Sequence, residues 1–152
     1  MTRAFLDANV AIYVTGRPHP LKEPSTWVFE LVARRPDAFV TDAEVLQELL
    51  HRFVALRLWP EPGRPAFERF ALLMRSRVES VTAFDVERAA QLADERPRLS
   101  ARDLVHLAVM ERLAVSRIVT ADRGFDGLPG VMRLDPAEVA SWQDSLSDRA
   151  DA

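Results

Sequence analysis

Residues 4–9, Ala4-Phe5-Leu6-Asp7-Ala8-Asn9, run three apolar side chains into an acid. The triplet reads as a short buried β-strand ending at Asp7. The same figure returns near the C-terminus, where a strand over 117–120 (Arg117-Ile118-Val119-Thr120) leads into Ala121-Asp122. Between them, Ala38-Phe39-Val40 reads as a second strand and Ser80-Val81 as a third, and Val131-Met132-Arg133-Leu134 ends the series.

Segments with helical periodicity separate these strands. After a Pro-rich loop at 16–24, Ser25 is the expected N-cap of a helix carrying Trp27, Val28, Leu31 and Val32. Thr41-Asp42-Ala43-Glu44 reads as a capping box opening a helix through about Leu58, with Val45, Leu49, Phe53 and Leu56 on one face. Pro65 suits the first position of a helix bearing Phe67, Phe70, Leu73 and Met74. Thr82 and Asp85 cap another helix, which Pro97 ends. Ser100-Ala101-Arg102-Asp103 opens a helix so apolar (Leu104, Val105, Leu107, Ala108, Val109, Met110) that it is expected to be central. Asp135-Pro136-Ala137-Glu138 caps a last one. Short buried strands alternating with helices predict an α/β fold with a mainly parallel sheet. The expected organisation is one domain over residues 1–144, with a frayed tail at 145–152.

In open α/β sheets, sites form outside the carboxyl ends of the strands. Asp7 and Asp122 stand at or just past such ends. Helices that follow strands begin at that same edge, so Glu48 and Asp103 can face the same crevice. Each acid also has a plain structural explanation. Asp103 occupies the third position of a capping box, Glu48 suits a solvated helix face, and Asp122 suits an Asp-Arg-Gly turn. Asp7 is harder to dismiss, because a charge inserted between apolar runs must be paired, bound to metal or open to a cleft. Gathered together, the four acids need a cation: two like charges about 4 Å apart repel by roughly 4 kcal/mol at an effective dielectric near 20. Hard dications such as Mg²⁺ or Mn²⁺ take oxygen ligands and promote in-line displacement at phosphorus. Asn9, two residues from Asp7, would share its face if that stretch stays extended, and Thr120 would orient a water or a ligand carboxylate.

The bulk properties agree with a globular protein. The chain has 152 residues, 48% hydrophobic, and no cysteine, which excludes disulfides and thiolate metal sites. Its start lacks the uninterrupted apolar stretch of a signal peptide and no window has membrane-span character, so a cytoplasmic protein is expected. The net charge of −3 offers no global attraction to nucleic acid. Lys22 is the single lysine, so phosphate contacts would fall mainly to arginine; Arg17, Lys22, Arg52, Arg57 and Arg123 are the candidates. His106 could contact substrate, but alone in so apolar a helix it is expected to be a hydrogen-bonded core residue. Trp27, Trp59 and Trp142 are expected in the core or an interface, with Trp59 beside Pro60 exposed enough to serve a partner.

Four segments together resemble a known family. Asp7-Ala8-Asn9 resembles the D-x-N opening of PIN-domain nucleases, and Glu48 resembles their helix acid. Ala101-Arg102-Asp103-Leu104-Val105-His106-Leu107-Ala108 is similar to the A-R-D-x-x-H-x-A stretch of the toxin branch, and Thr120-Ala121-Asp122-Arg123-Gly124-Phe125 to its T-x-D-x-x-F segment. The resemblance is to VapC-like toxins of type II toxin–antitoxin systems. It implies a three-layer α/β/α sandwich and a homodimer. It also implies an endoribonuclease dependent on Mg²⁺ or Mn²⁺ and neutralised by a cognate VapB-like antitoxin. Asp7, Glu48, Asp103 and Asp122 would be its catalytic metal ligands. Many relatives carry a further acid where this chain has Gly124, which leaves open whether Asp126 substitutes for it.

Two other readings compete. A phosphoaspartate-forming enzyme would want a second Asp where Asn9 stands, and a lysine outside the Pro-rich loop. A non-catalytic PIN-like module binding RNA or protein would not need acids at all four positions. A nucleotide-binding fold is disfavoured because no Gly-rich phosphate loop follows a strand.

Overall fold

The computed structural model describes residues 2–146. Its centre is a five-stranded sheet of β1 (Ala4–Leu6), β2 (Phe39–Asp42), β3 (Val78–Glu79), β4 (Arg117–Val119) and β5 (Met132–Leu134), in the order β3-β2-β1-β4-β5. Every pairing is parallel. Ala4 lies opposite both Phe39 and Arg117, so the carboxyl ends of β1, β2 and β4 finish nearly level. The strands of a parallel sheet covered on both faces read as near-continuous apolar runs, and β1 and β2 are buried along their whole length, with Thr41 and Asp42 the polar end of β2.

Among the described residues seven α-helices flank the sheet: α1 (Ala8–Thr15), α2 (Lys22–Arg34), α3 (Ala43–Ala55), α4 (Arg64–Leu73), α5 (Ala83–Glu95), α6 (Ala101–Arg112) and, after the last strand, α7 (Val139–Trp142). The chain steps outward from β1 to β2 to β3, then jumps back across β1 to β4. Because parallel crossovers are right-handed, this reversal puts α1–α4 on one face and α5–α6 on the other. The result is an α/β/α sandwich whose topological switch point lies between β1 and β4. Phe5, Phe39, Phe70, Phe125, Met110 and Ile118 fill the contiguous core.

Several boundaries move from their sequence-based positions. Residues 8–15 form α1, capped by Asp7. The sequence reading assigns no element there, where Val10-Ala11-Ile12 is simply an apolar run after Asp7. The helix expected from Ser25 begins at Lys22, and Ser25 is fully buried within it. Pro24 falls in its first turn, where a missing amide hydrogen is tolerated. The Thr41 box does not form: the Thr41 hydroxyl donates to the Leu6 carbonyl at 2.8 Å, which keeps Thr41 in β2. The cap passes to Asp42, whose Oδ1 accepts from the Val45 amide at 2.9 Å. The Thr82–Asp85 box forms reciprocally.

α3 stops at Ala55 rather than near Leu58. Arg57 enters the left-handed region (φ 58°) and the Leu58 amide bonds back to the Phe53 carbonyl at 2.8 Å. α4 starts at Arg64, with Pro65 second, and β3 lies at 78–79 instead of 80–81. Trp59 is half-buried against Phe67, with the Arg64 guanidinium 5.5 Å from its ring centroid, so it is not the exposed partner residue expected. At this α3–α4 corner Gly63 is buried, and a Cβ built there would lie 2.6 Å from the Phe53 Cβ and 2.8 Å from the Leu58 carbonyl oxygen. Fraying does not begin at Ser145, because its carbonyl and hydroxyl accept from Arg117 and Leu146 is buried. The rest of the expected tail, 147–152, lies outside the described residues.

Candidate active site

The switch point between β1 and β4 is where Asp7 and Thr120 meet. Asp7 is only 5% exposed. Its Oδ1 accepts from the Ala8 amide at 2.7 Å, and its Oδ2 accepts from the Thr120 hydroxyl at 2.8 Å. Thr120 Oγ1 in turn accepts from Asn9 Nδ2 at 2.7 Å and from the Asp122 amide at 3.1 Å, while Asn9 Oδ1 accepts from the Ala121 amide at 3.2 Å. Asn9 therefore reaches the acid through the first turn of α1 and not along an extended strand. Together Asn9 and Thr120 tie the loop after β4 to the start of α1. Burial pushes the Asp7 carboxyl from 3.8 to about 6; the charge of Glu48 adds to the rise, and His106, Thr120 and the Ala8 amide oppose it.

Glu48 enters from the second turn of α3, and His106 from the second turn of α6. The His106 ring is fully buried beside Phe5. Its Nδ1 lies 2.7 Å from Asp42 Oδ2, and its Nε2 lies 3.9 Å from Asp7 Oδ1 and 3.9 Å from Glu48 Oε2. Burial alone would lower the imidazole; the Asp42 hydrogen bond, the approach of the Glu48 side chain and the charges of Asp42 and Asp7 outweigh it and lift His106 to about 10. Ligand atoms of Asp7, Glu48 and His106 all fall within 4.8 Å of one another. Among the described residues, Nε2 is one of few buried side-chain polar atoms with no hydrogen-bond partner. A dication fits this donor set, because a buried carboxylate, a half-buried carboxylate and an unsatisfied nitrogen converge on one space.

The sequence profile of the PIN domain family matches residues 4–131, the span that carries all of these groups. The chain belongs to the PIN domain family. Ribonuclease VapC13 of Mycobacterium tuberculosis is 38% identical over 129 residues, covering 85% of this chain and 97% of that protein. The crystal structure of Mycobacterium tuberculosis VapC20, described as a sarcin–ricin loop cleaving toxin, superimposes with a TM-score of 0.56 at 25% identity, covering 82% of this chain and 90% of that one. A toxin–antitoxin complex from Klebsiella pneumoniae has the same fold, with a TM-score of 0.61 at 18% identity over 85% of this chain and 95% of that one.

The PIN fold brings the four predicted acids to one edge but not into one cluster. Ser100 caps α6, its hydroxyl accepting from the Asp103 amide at 3.2 Å; the reciprocal bond of a capping box is not made, so the Asp103 carboxylate is not spent on the cap. It lies outside the group that converges within 4.8 Å. Burial raises its carboxyl, and the charges of Asp122 and Glu48 add to the rise against the Ser100 and His106 contributions, so it shares the field of the site. Asp122 is exposed and begins the expected turn, its Oδ1 accepting from the Gly124 amide at 2.8 Å. Asp126 is committed elsewhere: Arg133 grips both its oxygens, at 2.7 and 3.3 Å, and holds its carboxyl below the usual range.

Of the basic candidates, Arg17, Arg52, Arg57 and Arg123 are exposed, whereas Lys22 Nζ donates to the Gly16 carbonyl at 2.8 Å. Arg52 lines a cleft of about 320 Å³ that Glu48, His51 and Arg102 share, and Arg102 approaches Glu48 to 3.6 Å. The sequence reading gives Asp42 and Arg102 no role at the site, whereas its expectation of His106 as a hydrogen-bonded core residue holds: the ring is fully buried and bonded to Asp42. His106 follows Asp103 by three residues, which puts both on one helix face. Asp42 had no local signal, since its partner is 64 residues away.

Proposed function

We infer that this protein is a metal-dependent endoribonuclease of the toxin–antitoxin class. The observation that carries the reading is the buried Asp7 carboxylate at the switch point, with Glu48 beside it, in a chain 38% identical to a named ribonuclease. Asp7, Glu48, Asp103 and Asp122 are proposed to hold Mg²⁺ or Mn²⁺. A bound ion would supply charge for water activation and for the developing phosphorane-like oxygens.

The chain's own groups do the positioning. The Ala8 amide and Thr120 hydroxyl each hold one Asp7 oxygen, fixing the carboxylate beside Glu48 and His106. Asn9 fixes the β4 loop against Asp7, which sets the place of Asp122. Asp103 and Asp122 extend the negative field outward from the buried pair. Arg52 and Arg102 flank Glu48 and are proposed to take phosphates next to the scissile one, with Arg17, Arg57 and Arg123 further out. An acid-free PIN-like binding module would need none of these groups, and nothing in their arrangement favours it.

An antitoxin partner is proposed by analogy with the complexes formed by proteins of this fold. A homodimer is also proposed; Leu72, Phe84 and Val86 leave apolar surface for protein contacts. Among the described residues no helix is long and apolar enough to cross a membrane. Purified protein should cleave a structured RNA in Mg²⁺ or Mn²⁺, leaving a 5′-phosphate on the downstream fragment. Robust cleavage in excess EDTA would refute the metal mechanism.

A further inference from the structure

The His106 imidazole is placed as if for coordination. Asp42 is fully buried at the end of β2 and divides its two oxygens, Oδ1 to the Val45 amide and Oδ2 to His106 Nδ1. With the ring nitrogen nearer Asp42 fixed at 2.7 Å, the ring cannot turn, and Nε2 faces the gap between Asp7 and Glu48. It makes no hydrogen bond there: both carboxylate oxygens stand 3.9 Å away, too far for one. An unsatisfied ring nitrogen in a dry site is unfavourable. A carboxylate on the far nitrogen of an imidazole is the arrangement that orients metal-bound histidines.

We propose that His106 Nε2 is a direct nitrogen ligand to the site's dication, held in place by Asp42, making this PIN site a mixed oxygen–nitrogen centre. The proposal rests on the metal-dependent reading above and deepens it. Geometry permits it: an ion equidistant from three atoms separated by 3.9, 3.9 and at most 4.8 Å sits about 2.5 Å or less from each. Metal–nitrogen and metal–oxygen bonds of about 2.0–2.2 Å then need movements of only a few tenths of an ångström. Glu48, half-buried and approached by Arg102 at 3.6 Å and by His106 at 3.9 Å, is free to make them. A ring nitrogen is a poor partner for Mg²⁺ and a good one for first-row transition dications. The site should therefore prefer Mn²⁺ over Mg²⁺.

Pulsed electron paramagnetic resonance of the full chain loaded with Mn²⁺ tests this without any assay of cleavage. The expected spectrum carries a directly coordinated ¹⁴N coupling, which changes on ¹⁵N-histidine labelling. His51→Gln, altering the neighbouring histidine of the Glu48 cleft, should keep that coupling and His106→Gln should lose it. Asp42→Asn retains an oxygen for the Val45 amide, so the fold is spared if the His106 variant proves unstable; it should weaken Mn²⁺ binding about 10–100-fold and Mg²⁺ binding less. Mn²⁺ bound with no nitrogen coupling would overturn the ligand role while leaving the metal-dependent nuclease intact. Absence of Mn²⁺ binding altogether would overturn both.

Discussion

Removing the charge of Asp7 should stabilise the ion-free protein. The folded carboxyl titrates near 6 instead of 3.8, so the folded state holds its proton more tightly than the unfolded chain does. Stability from this group is full below pH 3.8 and is lost as pH rises through 6. At pH 7.5 the ionised Asp7 therefore destabilises the fold by about 3 kcal/mol, on the scale of 1.36 kcal/mol for each tenfold change in proton affinity. Asp7→Asn has the same shape and keeps an oxygen for the Ala8 amide, but its amide group must face a Thr120 hydroxyl that already accepts from Asn9. That conflict takes back about 1 kcal/mol, leaving a gain of about 2 kcal/mol. For a chain of this size the melting temperature should rise about 4–8 °C. Calorimetry in EDTA at pH 7.5 measures it, and the difference should shrink at pH 5. Saturating Mn²⁺ should stabilise the parent and not the variant. An equal or lower melting temperature for Asp7→Asn in EDTA at pH 7.5 would refute the idea of a strained, cation-seeking carboxylate.

Other outcomes follow from the same geometry. Glu48→Gln and Asp103→Asn should each reduce RNA cleavage by at least the roughly 10–100-fold that loss of an outer-shell metal partner produces, with far-ultraviolet circular dichroism unchanged. Thr120→Val removes a buried hydroxyl with three partners and should destabilise by about 1–3 kcal/mol in denaturant titrations. Asp126→Asn should cleave RNA like the parent, because Arg133 and not the site engages its carboxylate; a large activity loss would make it the missing acid. His106, lifted to about 10, contributes stability that is full below pH 6.5 and lost as pH rises through 10. Ion-free melts should accordingly fall over that interval, and more steeply in the parent than in His106→Gln.

Much of this architecture is legible in the chain because its strands are short, apolar and bounded by polar caps. Ala4–Leu6 and Arg117–Val119 announce themselves in this way, and their acids mark the sheet edge. α1 is hidden because its β-branched Val10, Ile12 and Val14 are weak helix formers, and tertiary burial against α2 decides the conformation instead. The shift from Thr41 to Asp42 as helix cap has the same origin, a side-chain bond from Thr41 to the neighbouring strand that no local pattern reports. At the site, Asp7 was readable as an interruption of an apolar run. Its companions are less so: the Asp42–His106 pair joins positions far apart in the chain, and the capping box that obscures Asp103 in the sequence forms only by half, through the Asp103 amide and the Ser100 hydroxyl.

Gly63 offers a genetic handle on a gene whose product would be harmful to its host. The corner it occupies is closed by Phe53, which belongs to the same helix as Glu48. Gly63→Ala would force Phe53 and the α3 end apart without touching a charged group. The expected result is a conditional allele: inert in warm culture, partly restored in the cold, and therefore propagated without an antidote until a temperature shift switches it on.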